Sequence, residues 1–543
     1  MSPVMGDCDL SGPYAAAAPI RSRAFLMTIY NACADLLDRM VDQGRGETIA
    51  FIDPDRSLTY AQLQEGTWRF ANLLRRLGIR REERILLLLT DTVDFPIIFL
   101  GAIRAGVVPV PVNTMLAMAQ YSYMLEDARA RALFVSASLL STVEPCLAEA
   151  AHLDHVVVVG GAPQDQKRDQ SGHLDFAAHL ATETAEFATV ATHPDETAFW
   201  LYSSGSTGAP KGTKHVHASL MATARLFAQG IIEIKETDIV YSAAKLFFAY
   251  GLGNALTFPM SVGATAILEP GRPTPDKVFE ILDRHTPTIF CGVPTLFSAL
   301  LNDGKYAQHK GSSRLRICTS AGEALPEHIG TAWTRRFGVD IIDGVGSTEM
   351  LHIFLSNRPG DVVYGTSGKP VPGYDVRLTD EAGVVVADGE VGELFVRGPS
   401  AAEGYWNQRD KSRGTFHGEW TRTGDKYTRD ASGRYTYCGR TDDMFKVSGI
   451  WVSPFEVETA LMADPAVLEA AVVPFADEDG LLKPKAFIVL KEGANRENLE
   501  QRLKDDVKAK AGMWKYPRWI EIIESLPKTA TGKIQRYKLR DVA

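Results

Sequence analysis

The sequence predicts an α/β fold: a large N-terminal domain of parallel or mixed sheets covered by helices, with a β-barrel-like part, then a small α+β C-terminal domain. Three observations predict it. At 543 residues the chain is too long for one core and should split. Helix-like and strand-like segments alternate along much of it, and the strands are apolar on both faces, as buried parallel strands are. Past Asp442 the character changes, leaving a segment of about one hundred residues, enough for a separate small domain.

The elements follow in order. Met1 to Pro19 is small and polar with an alanine run, and no basic stretch precedes an apolar one; residues 1–25 read as a disordered tail rather than a signal peptide. Gln62 to Leu77 carries Leu63, Phe70, Leu74 and Leu77 at helical spacing, and Arg84 to Leu89 follows as a strand. Phe95 to Arg104 reads as a helix, Val107 to Val112 as a strand, and Ala198 to Leu201 as a buried strand. Gln164 to Gly172 is a polar loop. Gly392 to Arg397 and Arg434 to Tyr437 look like antiparallel strands around a turn at Trp420 to Asp425. Beyond the boundary, Pro454 to Met462 is helix-like and Glu469 to Val473 strand-like. The expected division is 26–441 and 442–543.

Composition narrows the class. A net charge of −9 disfavours a nucleic-acid binder, so any site for a polyanion must be locally basic. No apolar stretch is long enough to span a bilayer. Cys8, Cys33, Cys146, Cys291, Cys318 and Cys438 are scattered without a C-x-x-C pair, which suits neither a disulfide framework nor a zinc site. A reducing, cytoplasmic setting is expected.

The most informative segment is Tyr202-Ser-Ser-Gly-Ser-Thr-Gly-Ala-Pro-Lys-Gly212. Gly205, Gly208 and Gly212 let backbone N–H groups turn toward an anion, the hydroxyls of Ser203, Ser204, Ser206 and Thr207 add donors, and Lys211 adds charge. Such a loop suits a polyphosphate, although the G-x-x-x-x-G-K-[ST] spacing of the usual mononucleotide loop fails. By itself the segment could also be a flexible surface turn.

Further motifs follow in fixed order. Lys245 to Gly253 is aromatic, Ser320-Ala-Gly-Glu-Ala-Leu-Pro326 and Asp343-Gly-Val-Gly-Ser-Thr-Glu349 are polar and glycine-bearing, and Trp420 to Asp425 ends on an acid. Gly439 to Glu458 holds the domain boundary, and Leu526 to Gln535 holds a lysine among threonines and a glycine. Together these resemble the adenylate-forming superfamily of acyl-CoA synthetases, luciferases and adenylation domains. The resemblance implies that a carboxylate attacks the α-phosphorus of ATP. Both partners are anions, so the site must neutralise charge and align the attack.

Roles follow from that resemblance. Ser203 to Lys211 would hold the β- and γ-phosphates. Gly322, Glu323 and Ala324 would flank adenine, with Asp343, Gly344, Val345, Gly346 and Ser347 forming the next nucleotide motif. Thr348 would touch the α-phosphate and Glu349 would bind Mg²⁺. Asp425 would hold the ribose hydroxyls, with Arg440 nearby, and Lys533 would bridge carboxylate and α-phosphate oxygens. The small domain would rotate about Asp442, withdrawing Lys533 and bringing in Lys446-Val-Ser-Gly-Ile-Trp451, where Gly449 lets a pantetheine arm pass. Outside their motifs, Glu349 reads as a helix-start carboxylate, Asp425 as a turn former and Lys533 as a solvated terminal lysine. Val345 departs from the aromatic many relatives carry, and Lys214 stands where an apolar residue is expected.

Lys245 to Gly253, Thr348 to Phe354, Gly365 to Pro370 and Val447 to Pro454 narrow the likeness to benzoate and hydroxybenzoate CoA ligases. That implies a short, flat pocket walled by Phe248, Ala249, Tyr250, Val345 and Gly346, with His352 and Lys446 near the acid's carboxylate. The ring substituent stays open among benzoate, hydroxybenzoates and methyl or halo benzoates. CoA would meet Ser448, Gly449 and Trp451, with Arg104, Lys515 and Arg518 as basic candidates and Trp514 as a stacking surface. The partners implied are an aromatic acid, ATP and CoA, with no nucleic acid or membrane; a homodimer is left open. The rivals are an aryl-AMP ligase that loads a carrier-protein thiol, and a non-catalytic protein of the same fold that only binds aromatic acids.

Overall fold

The computed structural model describes residues 28–161, 172–203, 210–441, 443–447, 450–478, 481–513, 515–528 and 534–542, with backbone only at 446, 450, 451, 541 and 542. The tail 1–25 and almost all of the polar loop at 164–172 fall outside them.

The β/α alternation makes two sheets of mainly parallel strands. One is all parallel, ordered Val108–Pro111, Arg84–Leu88, Ala132–Ser136, His155–Val159, Leu174–Asp175. The other has nine strands in the order Lys369–Pro370, Ile353–Ser356, Ile341–Gly346, Ile317–Ser320, Ile289–Gly292, Ile239–Ser242, Thr265–Ile267, Ile49–Ile52, Ser57–Thr59. Its interior is parallel and its edges are antiparallel. Strands such as Ala132–Ser136, buried along their whole length, are the two-sided apolar runs seen in the sequence.

Helix Tyr60–Arg76 realises the periodicity of Leu63, Phe70 and Leu74, all fully buried. It starts where Thr59 and Gln62 cap each other reciprocally: Gln62 N donates to Thr59 Oγ1 (3.2 Å) and Thr59 N to Gln62 Oε1 (2.9 Å). Helix Asp94–Arg104 packs across it, buried on every side.

Antiparallel strands Asp375–Thr379, Gly392–Arg397, Trp420–Arg429, Phe416–His417 and Tyr435–Arg440 form the further β part. Here one expectation is corrected. Trp420 to Asp425 is not a turn but the first half of a ten-residue central strand. Gly424, at φ +73°, gives it a turn-like sequence, and the strand absorbs a register shift between Lys426 and Tyr427 while pairing continues on both sides.

The C-terminal part has its own core. Strands Val467–Ala476, Leu482–Leu490 and Trp519–Ile522 are covered by helices Pro454–Met462 and Leu499–Lys510 through Val457, Leu461, Val472, Ile488, Leu503 and Val507. Ser453 caps the first helix, accepting from Glu456 N at 3.1 Å. Helix Arg536–Val542 is tied back by ion pairs: Arg536 to Glu458 (2.7 Å) and Asp443 (3.4 Å), Arg540 to Asp443 (2.7 Å).

Candidate active site

Strands Thr197–Ser203 and Lys211–Val216 form a hairpin whose register sets Ser203 opposite Lys211. Ser204, Gly205, Ser206, Thr207 and Gly208 lie outside the described residues; Ser203 and Lys211 on either side of them are described. Lys211 Nζ sits 3.3 Å from the Tyr405 hydroxyl and 4.5 Å from that ring's centroid. Burial pushes the Lys211 pKa down, and the Glu349 carboxylate works against that fall. Glu349 Oε1 accepts from the Tyr405 hydroxyl at 2.8 Å and from Ser203 Oγ at 3.4 Å. A cation, a carboxylate and two hydroxyls from four separate segments therefore meet at one point.

Neighbouring bonds hold that point. Ala402 N donates to Glu349 O (2.8 Å), and His215 Nε2 lies 2.8 Å from Thr348 O. A carbonyl only accepts, so His215 must carry its proton on Nε2. Lys214, the unexpected charge after the loop, pairs with Glu403 at 3.1 Å. Tyr405 is the residue that sequence reading missed. It follows Gly404 in a short strand beside Thr213 and Lys214, and nothing local marks it.

The adenine-motif candidates Gly322, Glu323 and Ala324 follow the fully buried Ser320 at the end of a parallel strand, where open α/β sheets bind ligands. Asp343 ends the next strand pairing, 4% exposed, with burial pushing its pKa up to about 8. Gly344, Val345 and Gly346 pair with Ser356, Leu355 and Ile353, and Ser347 Oγ accepts from Met350 N at 3.2 Å. A Cβ on Gly346 would lie 2.5 Å from His352 O, so only glycine allows this close turn. Asp425 faces Arg440 across adjacent strands, and Arg440 Nη1 donates to Asp425 Oδ1 at 2.9 Å.

Phe248, Ala249 and Tyr250 open the helix Ala249–Leu252 and remain partly exposed, as pocket walls must be. The Tyr250 hydroxyl is 2.8 Å from Thr319 Oγ1. His352 is enclosed by aromatic rings, with centroids at 4.4 Å (Phe258), 5.2 Å (Phe227) and 5.5 Å (Tyr250). A Cβ on Gly253 would meet the imidazole at 2.4 Å. Burial drives the His352 pKa down to about 3, so near neutrality it is an uncharged group. Lys446 pairs with Trp451 in the hairpin Phe445–Val447/Ile450–Val452.

Arg104 is a correction. It is wholly buried, not a surface cation for CoA; its guanidinium is bonded to Asp38 at 2.6 Å and 2.9 Å, to Thr67 and to Thr189. A phosphate cannot reach it without breaking that pair. Lys515 pairs with Glu456 (2.6 Å), and Arg518 stacks 3.6 Å from the Tyr516 ring. Ser448, Gly449, Asp442, Trp514 and Lys533 lie outside the described residues.

The buried histidines give a pH prediction. His215, His217 and His352 have pKa values pushed by burial to about 4, about 4 and about 3, below the unfolded 6.5. His217 Nδ1 also accepts from Ala32 N (3.1 Å), a bond that protonation destroys. Their contribution to stability is present above pH 6.5 and is lost as pH falls through the folded values. Asp91 (about 6) and Asp343 (about 8) have raised values and oppose this, since their protonated forms favour the fold. A variant isolates one group: His352→Gln should flatten the acid-side loss by about 1.4 kcal/mol per pH unit between about pH 6 and about pH 5. Denaturant midpoints measure it, and parallel curves for the two proteins would contradict it.

Comparison with known proteins places the chain in a family. Residues 38–406 match the AMP-binding enzyme family, and residues 456–533 match the AMP-binding enzyme C-terminal domain. The chain belongs to that family of adenylate-forming enzymes. It is 55% identical over 518 residues to the 4-hydroxybenzoate–CoA/benzoate–CoA ligase of Rhodopseudomonas palustris, covering 94% of each chain. It is 56% identical over 514 residues to the benzoate–CoA ligase of Thauera aromatica, covering 94% of this chain and 96% of the relative. A crystal structure of a benzoate CoA ligase from Burkholderia xenovorans LB400 superposes with a TM-score of 0.86 at 51% identity, covering 94% and 100% of the two chains.

Proposed function

We propose that this protein is an ATP-dependent aroate–CoA ligase, which converts a benzoic acid, ATP and CoA into aroyl-CoA, AMP and diphosphate. The observation that carries the reading is the convergence of Ser203, Lys211, Glu349 and Tyr405 on one point; the partly exposed Phe248, Ala249 and Tyr250 supply the aromatic wall this reading needs. The two relatives of highest identity named above act on benzoate, and one also on 4-hydroxybenzoate.

In this reading Lys211 and the loop before it hold the phosphates that leave. Glu349, its carboxylate oriented by Tyr405 and Ser203, would hold Mg²⁺, a hard ion that takes carboxylate oxygen, and the ion would supply positive charge beside the phosphates. Among the described residues no cluster of three or more His, Cys, Asp or Glu could hold a metal alone. Thr348, fixed through His215, faces the α-phosphate, and Asp425, oriented by Arg440, takes the ribose hydroxyls. Lys533 stabilises the first transition state from the C-terminal domain. Rotation about Asp442 then exchanges it for Lys446, Ser448, Gly449 and Trp451, opening a path for the thiol. His352 contributes a neutral wall to the aroate pocket rather than a charge.

A cytoplasmic location fits the cysteines among the described residues, which are free and mostly buried. The test is a panel of ring-substituted benzoates and medium-chain fatty acids, assayed for CoA-dependent AMP formation. The expected result is turnover of benzoates and exclusion of fatty acids. Preference for a fatty acid, or turnover only with a carrier-protein thiol, would overturn the reading.

A further inference from the structure

Asn254 lies one helical turn beyond Tyr250, so both side chains occupy the same helix face. It is 1% exposed, and neither Nδ2 nor Oδ1 has a hydrogen-bond partner of good geometry, although the amide lies close enough to the Tyr250 hydroxyl to act on it. A carboxamide buried in that way costs free energy that an apolar side chain of similar size would not. Buried polar groups are nearly always well satisfied, so one held this poorly calls for a cause.

Its surroundings supply one. The Asn254 amide adjoins the Tyr250 hydroxyl, which is 2.8 Å from Thr319 Oγ1. Thr319 is itself fully buried near the carboxyl end of strand Ile317–Ser320, the sheet edge where ligands bind in open α/β folds. Both ring nitrogens of His352, 5.5 Å away between ring centroids, also lack a hydrogen-bond partner of good geometry. The wall that would receive a flat ring is therefore backed by a concentrated group of polar atoms, not by a uniformly apolar floor. Benzoate alone has no use for it, because its only polar group is the carboxylate that must face the phosphates.

We propose that Asn254 is a specificity-determining residue: with the Tyr250–Thr319 hydroxyl pair it receives a hydroxyl group carried on the aromatic ring. The proposal rests on the aroate-pocket reading above and narrows its substrate class to benzoates with a polar ring substituent beside benzoate itself. An amide suits this task because it both donates and accepts, and so meets a phenol in either hydrogen-bond direction. A hydroxyl that pairs with an otherwise poorly satisfied buried group also removes that group's cost, so the discrimination can be large for one bond.

The experiment compares kcat/KM for benzoate, 3-hydroxybenzoate and 4-hydroxybenzoate in the wild type, Asn254→Leu and Thr319→Val. Ratios between acids are taken within one preparation, so a partly folded variant does not distort them. Asn254→Leu should reduce the ratio of the better hydroxybenzoate to benzoate by roughly ten- to a hundredfold, chiefly through that acid's KM. Thr319→Val should shift it the same way by a smaller factor. An unchanged ratio in Asn254→Leu overturns the proposal, as does a wild type that uses benzoate but neither hydroxybenzoate. A wild type that uses no benzoic acid at all would instead remove the aroate–CoA ligase reading beneath it.

Discussion

Lys533→Ala is expected to lower acid-dependent pyrophosphate release by roughly 10²–10³-fold while leaving CoA attack on supplied aroyl-adenylate within a few-fold of wild type. The first step brings a carboxylate onto a phosphate, and charge builds on oxygens that a single ammonium can bridge. In a closed cleft that interaction is far stronger than in water. The second step uses a neutralised acyl group and a thiol, so it has no such need. Among the described residues on either side, Lys528 and Ile534 pair as an isolated bridge, and Arg536 is tied to Glu458 and Asp443. Separate assays of the two half-reactions decide the matter. Equal losses in both would contradict the division of labour.

Glu349→Ala should cost a comparable factor in adenylate formation, roughly 10²–10³, and should raise the Mg²⁺ concentration needed for half-maximal rate. Two effects act in one direction. The carboxylate that would hold the ion is lost, and Lys211, whose charge burial already disfavours, loses the anion that supports it. Tyr405 and Ser203 are left without their acceptor, so the hydroxyl cluster loosens as well. A magnesium titration at saturating ATP separates the parts. Unchanged magnesium dependence would remove Glu349 from the metal's coordination.

Much of the fold was legible because its signals are local. The helix periodicity at Leu63, Phe70 and Leu74 and the two-sided apolar strands are set by residues a few positions apart. The helix Pro454–Met462 was read to the residue, with proline in its first turn and Ser453 before it. What failed depends on partners distant in sequence. Arg104 ends a helix and so reads as a solvated cation, yet Asp38, 66 residues earlier, draws it into the core. Lys214 reads as misplaced because its partner, Glu403, comes from far along the chain, just before the short strand Gly404–Tyr405 that pairs beside it. The Trp420 strand resembled a turn because of Gly424, and its pairing continues through a register shift.

The site divided along the same line. Ser203, Lys211, Glu349, Asp425 and Arg440 could be proposed because each sits in a motif. Tyr405 could not, since its importance lies in the 2.8 Å bond to Glu349 from 56 residues away. Asn254 was equally silent, because a buried polar group without a well-formed hydrogen bond is defined by its surroundings and not by its neighbours in the chain.

The central claim is that one cleft first activates an aromatic acid with nucleotide and then passes it to sulfur. The most direct measurement is a single-turnover experiment in which enzyme meets ATP, Mg²⁺ and benzoate before CoA is added. The account predicts about one equivalent of pyrophosphate per active site with enzyme-bound benzoyl-adenylate, then stoichiometric benzoyl-CoA and AMP when CoA arrives. Pyrophosphate that appears only after CoA, or ADP in place of AMP, would contradict it.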